Sequence, residues 1–543
     1  MNGFRVGPDR GWAAGFVAVF TLGTVCGTAA PVRGQEPVQV ATAVGEAPGP
    51  AELRIEGGDI HLKIEEAIRV AIERNLGIRA QQYSRQRAAL DIQQAMGIYD
   101  FNLLAGLSTG KDESPAASNL DGAEVTKTER DSAYVGGSQL LPSGGLAGVN
   151  FGNGRFETNS RFSLLNPSYS SGLDLTLEQP LLRGFGRSAT EYGIALARIG
   201  SDISREQFEA RVVTIVQRVS NAYWNLVAAR YALVVAEESL ALAKELHENN
   251  RVRVEVGTLA PLELVQSEAG IATRQEEIIR ARGVIGDAED LLFFFLNVDQ
   301  GEAWSRSIVP DTEARVAAPP VDLDESIRTA LSERPEIATQ TLQVRSLELD
   351  QAFFRQEKRP RLDLKAAYGL SGLGGDVILR DSDGNVIGTA PGGWDDALDQ
   401  VTGWDFPGWS VGLELGIPVQ NRSAKARAAV ADLALEEGKL AMSELELQIT
   451  TEVRAAVRGI ETSRQQLESA DVSRRLGEKN LEAERKKYEN GLSTSFQILE
   501  VQEDLTSARY REVAALTGYR RALVGYHQAI GRLLQSASIT IVD

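Results

Sequence analysis

The sequence predicts a mainly helical chain that carries a small set of membrane-type strands, and three observations predict it. Proline is absent from Leu181 to Ala260 and again from Val419 to Asp543. Long helices require such absence, because proline donates no N–H and its ring clashes with the preceding turn. Short stretches in which apolar and polar residues alternate stand immediately before these segments, and the whole arrangement occurs twice.

The strands precede the long helical segment in each half. Leu173-Asp174-Leu175-Thr176-Leu177-Glu178 alternates strictly, so one face is apolar and the other wet. Phe101, Leu103, Ala105 and Leu107 follow the same period, as do Leu362, Leu364, Ala366 and Tyr368, and then Trp409, Val411, Leu413, Leu415 and Ile417. Strands of about ten residues with one apolar face suit the wall of a membrane barrel. A soluble sandwich strand has the same period, but these strands are few and each leads into a long helical segment.

Within the C-terminal segment Met442, Leu445, Ile449, Val453, Ala456, Ile460 and Leu467 keep spacings of three, four or seven, the seam of a helix bundle. A helix of about 65 residues from Ser188 would extend roughly 100 Å. A duct across a periplasm needs that length and a compact domain does not.

The duplication is visible as two displacements. A shift of 259 superposes Ile64-Glu65-Glu66-Ala67-Ile68-Arg69-Val70-Ala71 on Leu323-Asp324-Glu325-Ser326-Ile327-Arg328-Thr329-Ala330. A shift of 234 superposes Val219 on Val453, Ala222 on Ala456, Leu226 on Ile460, Arg230 on Arg464 and Gly257 on Gly491. Each half reads helix, strand, loop, strand, long helix, tight turn at Gly257 or Gly491, and returning helix. The first half has a longer strand and loop region, with an extra segment around Tyr134 to Phe151. The predicted organisation is a signal peptide at 1–34, a flexible leader at 35–57, a first repeat at 58–309, a linker at 310–321, a second repeat at 322–535 and a tail at 536–543.

The signal is read from Arg5 and Arg10 before the apolar run Gly11 to Val25, followed by small residues, with cleavage after Gly34. Cys26 is the chain's one cysteine, and the Gly23-Thr24-Val25 before it makes a poor lipoprotein box. A mature chain without it has no disulfide and no cysteine metal site. The formal charge of −18 argues against nucleic acid as a partner, since phosphate attracts the opposite sign.

At this point the chain resembles the TolC family of outer-membrane efflux proteins over residues 58–535. The resemblance rests on the paired helix starts at Ile64 and Leu323 and on two strand-to-helix turns, Gln179-Pro180-Leu181-Leu182-Arg183-Gly184-Phe185-Gly186 and Gly416-Ile417-Pro418-Val419. It rests also on Ala222-Tyr223-Trp224-Asn225-Leu226 and on the tips Val256-Gly257-Thr258 and Asn490-Gly491-Leu492. The resemblance implies a homotrimer in which each protomer gives four strands to a twelve-stranded outer-membrane β-barrel, continued by a periplasmic α-helical barrel. It implies a passive exit duct in contact with outer-membrane lipid, coupled through a periplasmic adaptor resembling the HlyD type to an inner-membrane transporter. Val256, Gly257, Thr258, Asn490, Gly491 and Leu492 would be the docking tips, and Glu263, Tyr488 and Glu500 would line the periplasmic constriction. Ser493 and Gln497 stand where some family members carry an arginine and an aspartate.

No enzyme is expected, and neither is a metal or cofactor. His61, His247 and His527 lack metal-ligand spacing, and no nucleophile is paired with a base. Asp381-Ser382-Asp383-Gly384-Asn385 starts like a calcium loop but lacks its closing glutamate, so a hairpin is expected there. Trp394, Trp404 and Trp409 suit an interfacial girdle or ordinary packing. The alternative function is a periplasmic coiled-coil adaptor or scaffold, which would carry one hairpin in compact β domains and not two matched halves.

Overall fold

The computed structural model describes residues 54–56, 58–116, 122–298, 301–314, 321–382 and 385–539. The expected signal peptide, Cys26, most of the leader, linker residues 315–320, Asp383-Gly384 and residues 540–543 lie outside the described residues.

The first half opens with strands β1 (Arg54–Glu56) and β2 (Asp59–Leu62), then helices α1 (Ile64–Arg74) and α2 (Leu76–Met96). The helices break at Asn75, whose side chain accepts the N–H of Gly77 at 2.9 Å and caps α2. Strands β3 (Asn102–Pro115), β4 (Val125–Leu140), β5 (Leu146–Thr158) and β6 (Leu165–Pro180) follow. A short turn α3 (Arg187–Thr190) leads into α4 (Tyr192–Glu255), and α5 (Leu262–Leu296) returns. At 64 residues α4 is about 96 Å long.

Strand β7 (Ile308–Pro310) pairs parallel with β2, so a small sheet forms where the prolines suggested the start of a linker. Pro310 is tolerated there because β7 is an edge strand of that sheet. The second half repeats the pattern with α6 (Leu323–Glu333), α7 (Pro335–Gln356), β8 (Arg361–Arg380), β9 (Val386–Ala390), α8 (Trp394–Thr402), β10 (Pro407–Gly416), α9 (Arg422–Glu489), α10 (Ser495–Ala529) and the short α11 (Leu533–Ser536). The α6–α7 break at Arg334 stands 259 residues after Asn75, as the first displacement requires. No described helix is long and apolar enough to cross a membrane.

The two halves meet around the Ala222–Leu226 motif. Tyr223 is fully buried, and its hydroxyl donates to the Leu62 carbonyl at 3.0 Å while lying 2.9 Å from the Thr312 hydroxyl. From the second half Arg520 covers the Trp224 ring at 4.7 Å, and Arg521 donates to the Asn225 side chain at 3.0 Å. On the other side Ile449, Val453 and Ile460 form a core with Ala330, Tyr519 and Tyr526, with Leu445, Ala456 and Leu467 packed beside it. The predicted seam is therefore the buried stripe of α9.

The large sheet corrects one expectation. Four strands per protomer were expected, but the sheet runs β10-β8-β6-β5-β4-β3, with β9 attached to β8. The two additional strands, β4 and β5, are the extra segment between Tyr134 and Phe151. Their sequence hides them because glycines interrupt the apolar alternation. On β4 Gly137 makes room for an aromatic ring, since a Cβ there would collide with the Phe101 ring, and on the neighbouring β3 a Cβ on Gly106 would collide with the Tyr134 ring.

Residues paired across the sheet share a face. One face carries Leu103, Val149, Leu175, Tyr368 and Trp409 in one row, and Ala105, Val135, Phe151, Leu173 and Leu370 in the next. The opposite face carries Ser138, Thr176 and Ser410 in one row and Asn150 and Asp174 in another. The division suits a wall with lipid on one side and water on the other. Helix α8 lies against the apolar face, where a Cβ on Gly372 would collide with the Ala397 carbonyl and the Trp394 indole donates to Asn153 at 2.8 Å. Trp394 is thus held by the sheet, whereas Trp409 is 76 % exposed and Trp404 is also exposed. The Asp381–Asn385 segment joins the antiparallel strands β8 and β9, and Asn385 donates its N–H to the Asp381 carboxylate at 2.8 Å.

Candidate functional site: the paired helical tips

Helices α4 and α9 end in the same way. After α4, Gly257 donates its N–H to the Val254 carbonyl at 3.0 Å and Thr258 donates to the Arg253 carbonyl at 2.8 Å. After α9, Gly491 donates to Tyr488 at 3.1 Å and Leu492 to Lys487 at 2.8 Å. Both are Schellman closures, which place the residue after the cap in the left-handed region. Gly257 and Gly491 occupy that position with φ of 75° and 70°. Open space surrounds both, so the backbone angle and not crowding demands glycine.

The tips differ in how the next helix starts. Thr494 caps α10, accepting the Gln497 N–H at 3.3 Å while its own N–H donates to the Gln497 side chain at 3.2 Å. Ser493 lies 3.0 Å from Gln497 and donates to Glu484. The Lys487 ammonium and the Ser493 hydroxyl hold the Glu484 carboxyl below its usual range. Ser493 and Gln497 therefore organise the turn itself. The start of α5 at Pro261 has no side-chain cap.

Both tips present apolar side chains to solvent. Val256 is 68 % exposed and Leu492 78 %, with Leu262, Val265 and Phe496 exposed on the first turns behind them. Water-exposed apolar side chains clustered at a helix end indicate a contact surface.

Behind the tips the hairpins are stapled together. Tyr488 is 5 % exposed, and its hydroxyl donates to the Asn250 side chain and lies 3.0 Å from Ser495. Arg253 covers the Tyr488 ring at 4.4 Å and donates to the Tyr488 and Glu489 carbonyls at 3.1 and 3.3 Å. The sequence reading missed Arg253 and Asn250. A cation four residues before one predicted tip glycine, set against an aromatic three residues before the other, was the available signal. Further up, the Ser239 and Thr506 hydroxyls meet at 3.0 Å and Arg485 pairs with Glu245 at 2.9 Å.

The carboxylates named for the constriction sit on the two returning helices. Glu263 is in the first turn of α5, with one carboxylate oxygen buried and unpartnered within the protomer. Glu500 is exposed on α10. These helices approach closely near both, since a Cβ on Gly270 would stand 3.3 Å from Leu499. Tyr488 points into the protomer, its hydroxyl held by Asn250 and Ser495. The histidines are scattered: His61 lies 3.3 Å from Asp311, His247 lies 2.8 Å from Ser267, and His527 is half-buried. No metal-holding cluster occurs among the described residues.

Comparison with known proteins agrees with this architecture. The family model described as outer membrane efflux protein matches residues 67–297 and 326–532, one segment in each repeat. No curated protein sequence matches the chain. Among solved structures, the CmeC outer membrane channel of Campylobacter jejuni is 16 % identical, with 87 % of this chain and 86 % of that one covered at a TM-score of 0.60. The outer membrane protein VceC of Vibrio cholerae is 14 % identical, covering 86 % and 96 % at 0.59. The MtrE outer membrane channel of Neisseria gonorrhoeae, in its open state, is 16 % identical, covering 91 % and 98 % at 0.58. At such identities the likeness shows the fold, and the family match carries the assignment: the chain belongs to the outer membrane efflux protein family.

Proposed function

We propose that three copies of this chain form the exit duct of a tripartite efflux or secretion system. The β-sheets close into a barrel in the outer membrane, and the helices continue it into the periplasm. The duct is a passive conduit. Its tips, at Val256-Gly257-Thr258 and Asn490-Gly491-Leu492, receive a periplasmic adaptor of the HlyD type, which links it to an inner-membrane transporter that performs the work. Glu263 and Glu500, with Tyr488 behind them, shape the periplasmic constriction.

The observation that carries this reading is the pair of matched tips. Each stands one helix length, about 96 Å for α4, from the sheet, and each ends in a rigid glycine turn capped by exposed apolar residues. A scaffold protein would have no use for an amphipathic sheet at the opposite end. Site-specific photocrosslinkers at Val256 and Leu492 test the docking in intact envelopes. Crosslinks to a periplasmic hairpin protein are expected there and not from a control site at Trp409. Identical crosslinking patterns at all three sites would refute tip docking.

A further inference from the structure

The trimer's barrel is wider than four strands per protomer would make it. We infer that each copy contributes six strands, β3, β4, β5, β6, β8 and β10, and that β3 of one copy pairs with β10 of the next to close a wall of 3 × 6 = 18 strands. This inference rests on the trimeric duct proposed above.

The registers carry the argument. The residues aligned with Asn102 across the sheet are Ser138, Gly148, Thr176, Ala367 and Ser410. Asn102 begins β3; Ser138 is two residues from the helical-side end of β4, Gly148 two from that of β5, Thr176 four from that of β6, and Ala367 and Ser410 six from those of β8 and β10. The strands thus climb six residues over five strand steps. With about 3.3 Å per residue and about 4.8 Å between strands, the climb corresponds to a tilt of about 40°. Closed barrels tilt their strands by roughly 35–45°. The β4–β5 hairpin follows this climb and shares the two faces of its neighbours, apolar at Val135, Val149 and Phe151 and polar at Ser138 and Asn150. It is therefore built as wall and not as an extracellular loop.

The open edges fit one another. Every pairing along the sheet is antiparallel, so with six strands β3 and β10 run in opposite directions. A neighbouring copy can continue the ladder antiparallel, with no unpaired edge left in lipid. On the lipid-type face both edges are apolar and exposed, through Leu103 and Leu107 on β3 and Trp409, Val411 and Leu413 on β10. Barrel diameter grows roughly linearly with strand number. The wall should therefore be about one and a half times as wide as a twelve-stranded one, and the narrowest point of the duct is left to the periplasmic end.

Electron cryomicroscopy of the trimer extracted from outer membranes would count the strands directly. Eighteen strands, with β4 and β5 between β3 and β6, are expected. A trimer whose wall holds twelve strands, with the β4–β5 hairpin outside it, would overturn the inference and leave the trimeric duct standing; a chain that is not trimeric would overturn the duct itself. Cysteine labelling in membranes gives a second readout. A membrane-impermeant maleimide should modify Asn150→Cys, on the water side, about tenfold faster than its neighbour Phe151→Cys, on the lipid side. Equal, rapid modification at both would place the hairpin in solvent and refute it.

Discussion

The Arg253 guanidinium lies 4.4 Å from the centre of the Tyr488 ring and donates to that residue's own carbonyl, joining the last turn of one long helix to the last turn of its repeat-related partner. The contact ties the two tips of a protomer into one unit. Arg253→Ala should loosen them, at a cost of about 1–3 kcal/mol for the stacking and charged hydrogen bonds. Higher resting conductance is the expected result in planar bilayers, with the trimer intact on gels. Unchanged conductance would mean the staple has no part in keeping the duct closed.

Tyr488→Phe removes a buried hydroxyl and leaves Asn250 and Ser495 without it. A loss of about 1–3 kcal/mol is expected, read as a lower melting temperature of the helical region. A melting curve superposable on that of the parent would show that the tip gains no stability from this network.

The glycine turns allow a separate test. Neither Gly257 nor Gly491 is crowded, so a substitution is opposed by the positive φ alone, about 1 kcal/mol or more for a branched residue. Gly257→Val and Gly491→Val should therefore insert and assemble while export falls, because the distorted turn is the docking surface. Absence of the variants from the outer membrane would make these glycines folding determinants instead.

A pH dependence follows from His527. Burial pushes its imidazole below the ordinary value of 6.5. The unfolded chain then takes up the proton first, so the stability due to the neutral ring is full above that value and declines as pH falls below it. Helix melting should shift downward between about pH 7.5 and about pH 5.5, and His527→Gln should flatten the dependence. An unaltered pH profile in that variant would assign the effect to other groups.

Glu263 and Glu500 would each appear three times around a threefold axis, a ring that attracts cations and repels anions. Reconstituted trimers carrying Glu263→Gln and Glu500→Gln should lose cation preference and keep their barrel. Retained selectivity would remove these carboxylates from the constriction.

The sequence was most legible where a period or a displacement could be followed. The α9 stripe through Ile449, Val453 and Ile460, the paired helix starts at Ile64 and Leu323, and the matched glycines all derive from local rules. Strands β4 and β5 were not legible, because their alternation is interrupted by glycines, and the purpose of Gly137, space for the Phe101 ring, exists only once strands are side by side. Arg253 was hidden for the same reason: its partner is 235 residues away. The Asn250 partner of the Tyr488 hydroxyl was not legible either, since that contact depends on how two hairpins pack and not on distance from Gly491.

Single-channel recording on purified protein of measured mass tests the central claim most directly. Trimers inserted into a planar bilayer should give discrete, long-lived conductance steps, one per trimer. A protein that remains monomeric in mild detergent, or trimers that insert without conducting even after Arg253→Ala, would contradict the account.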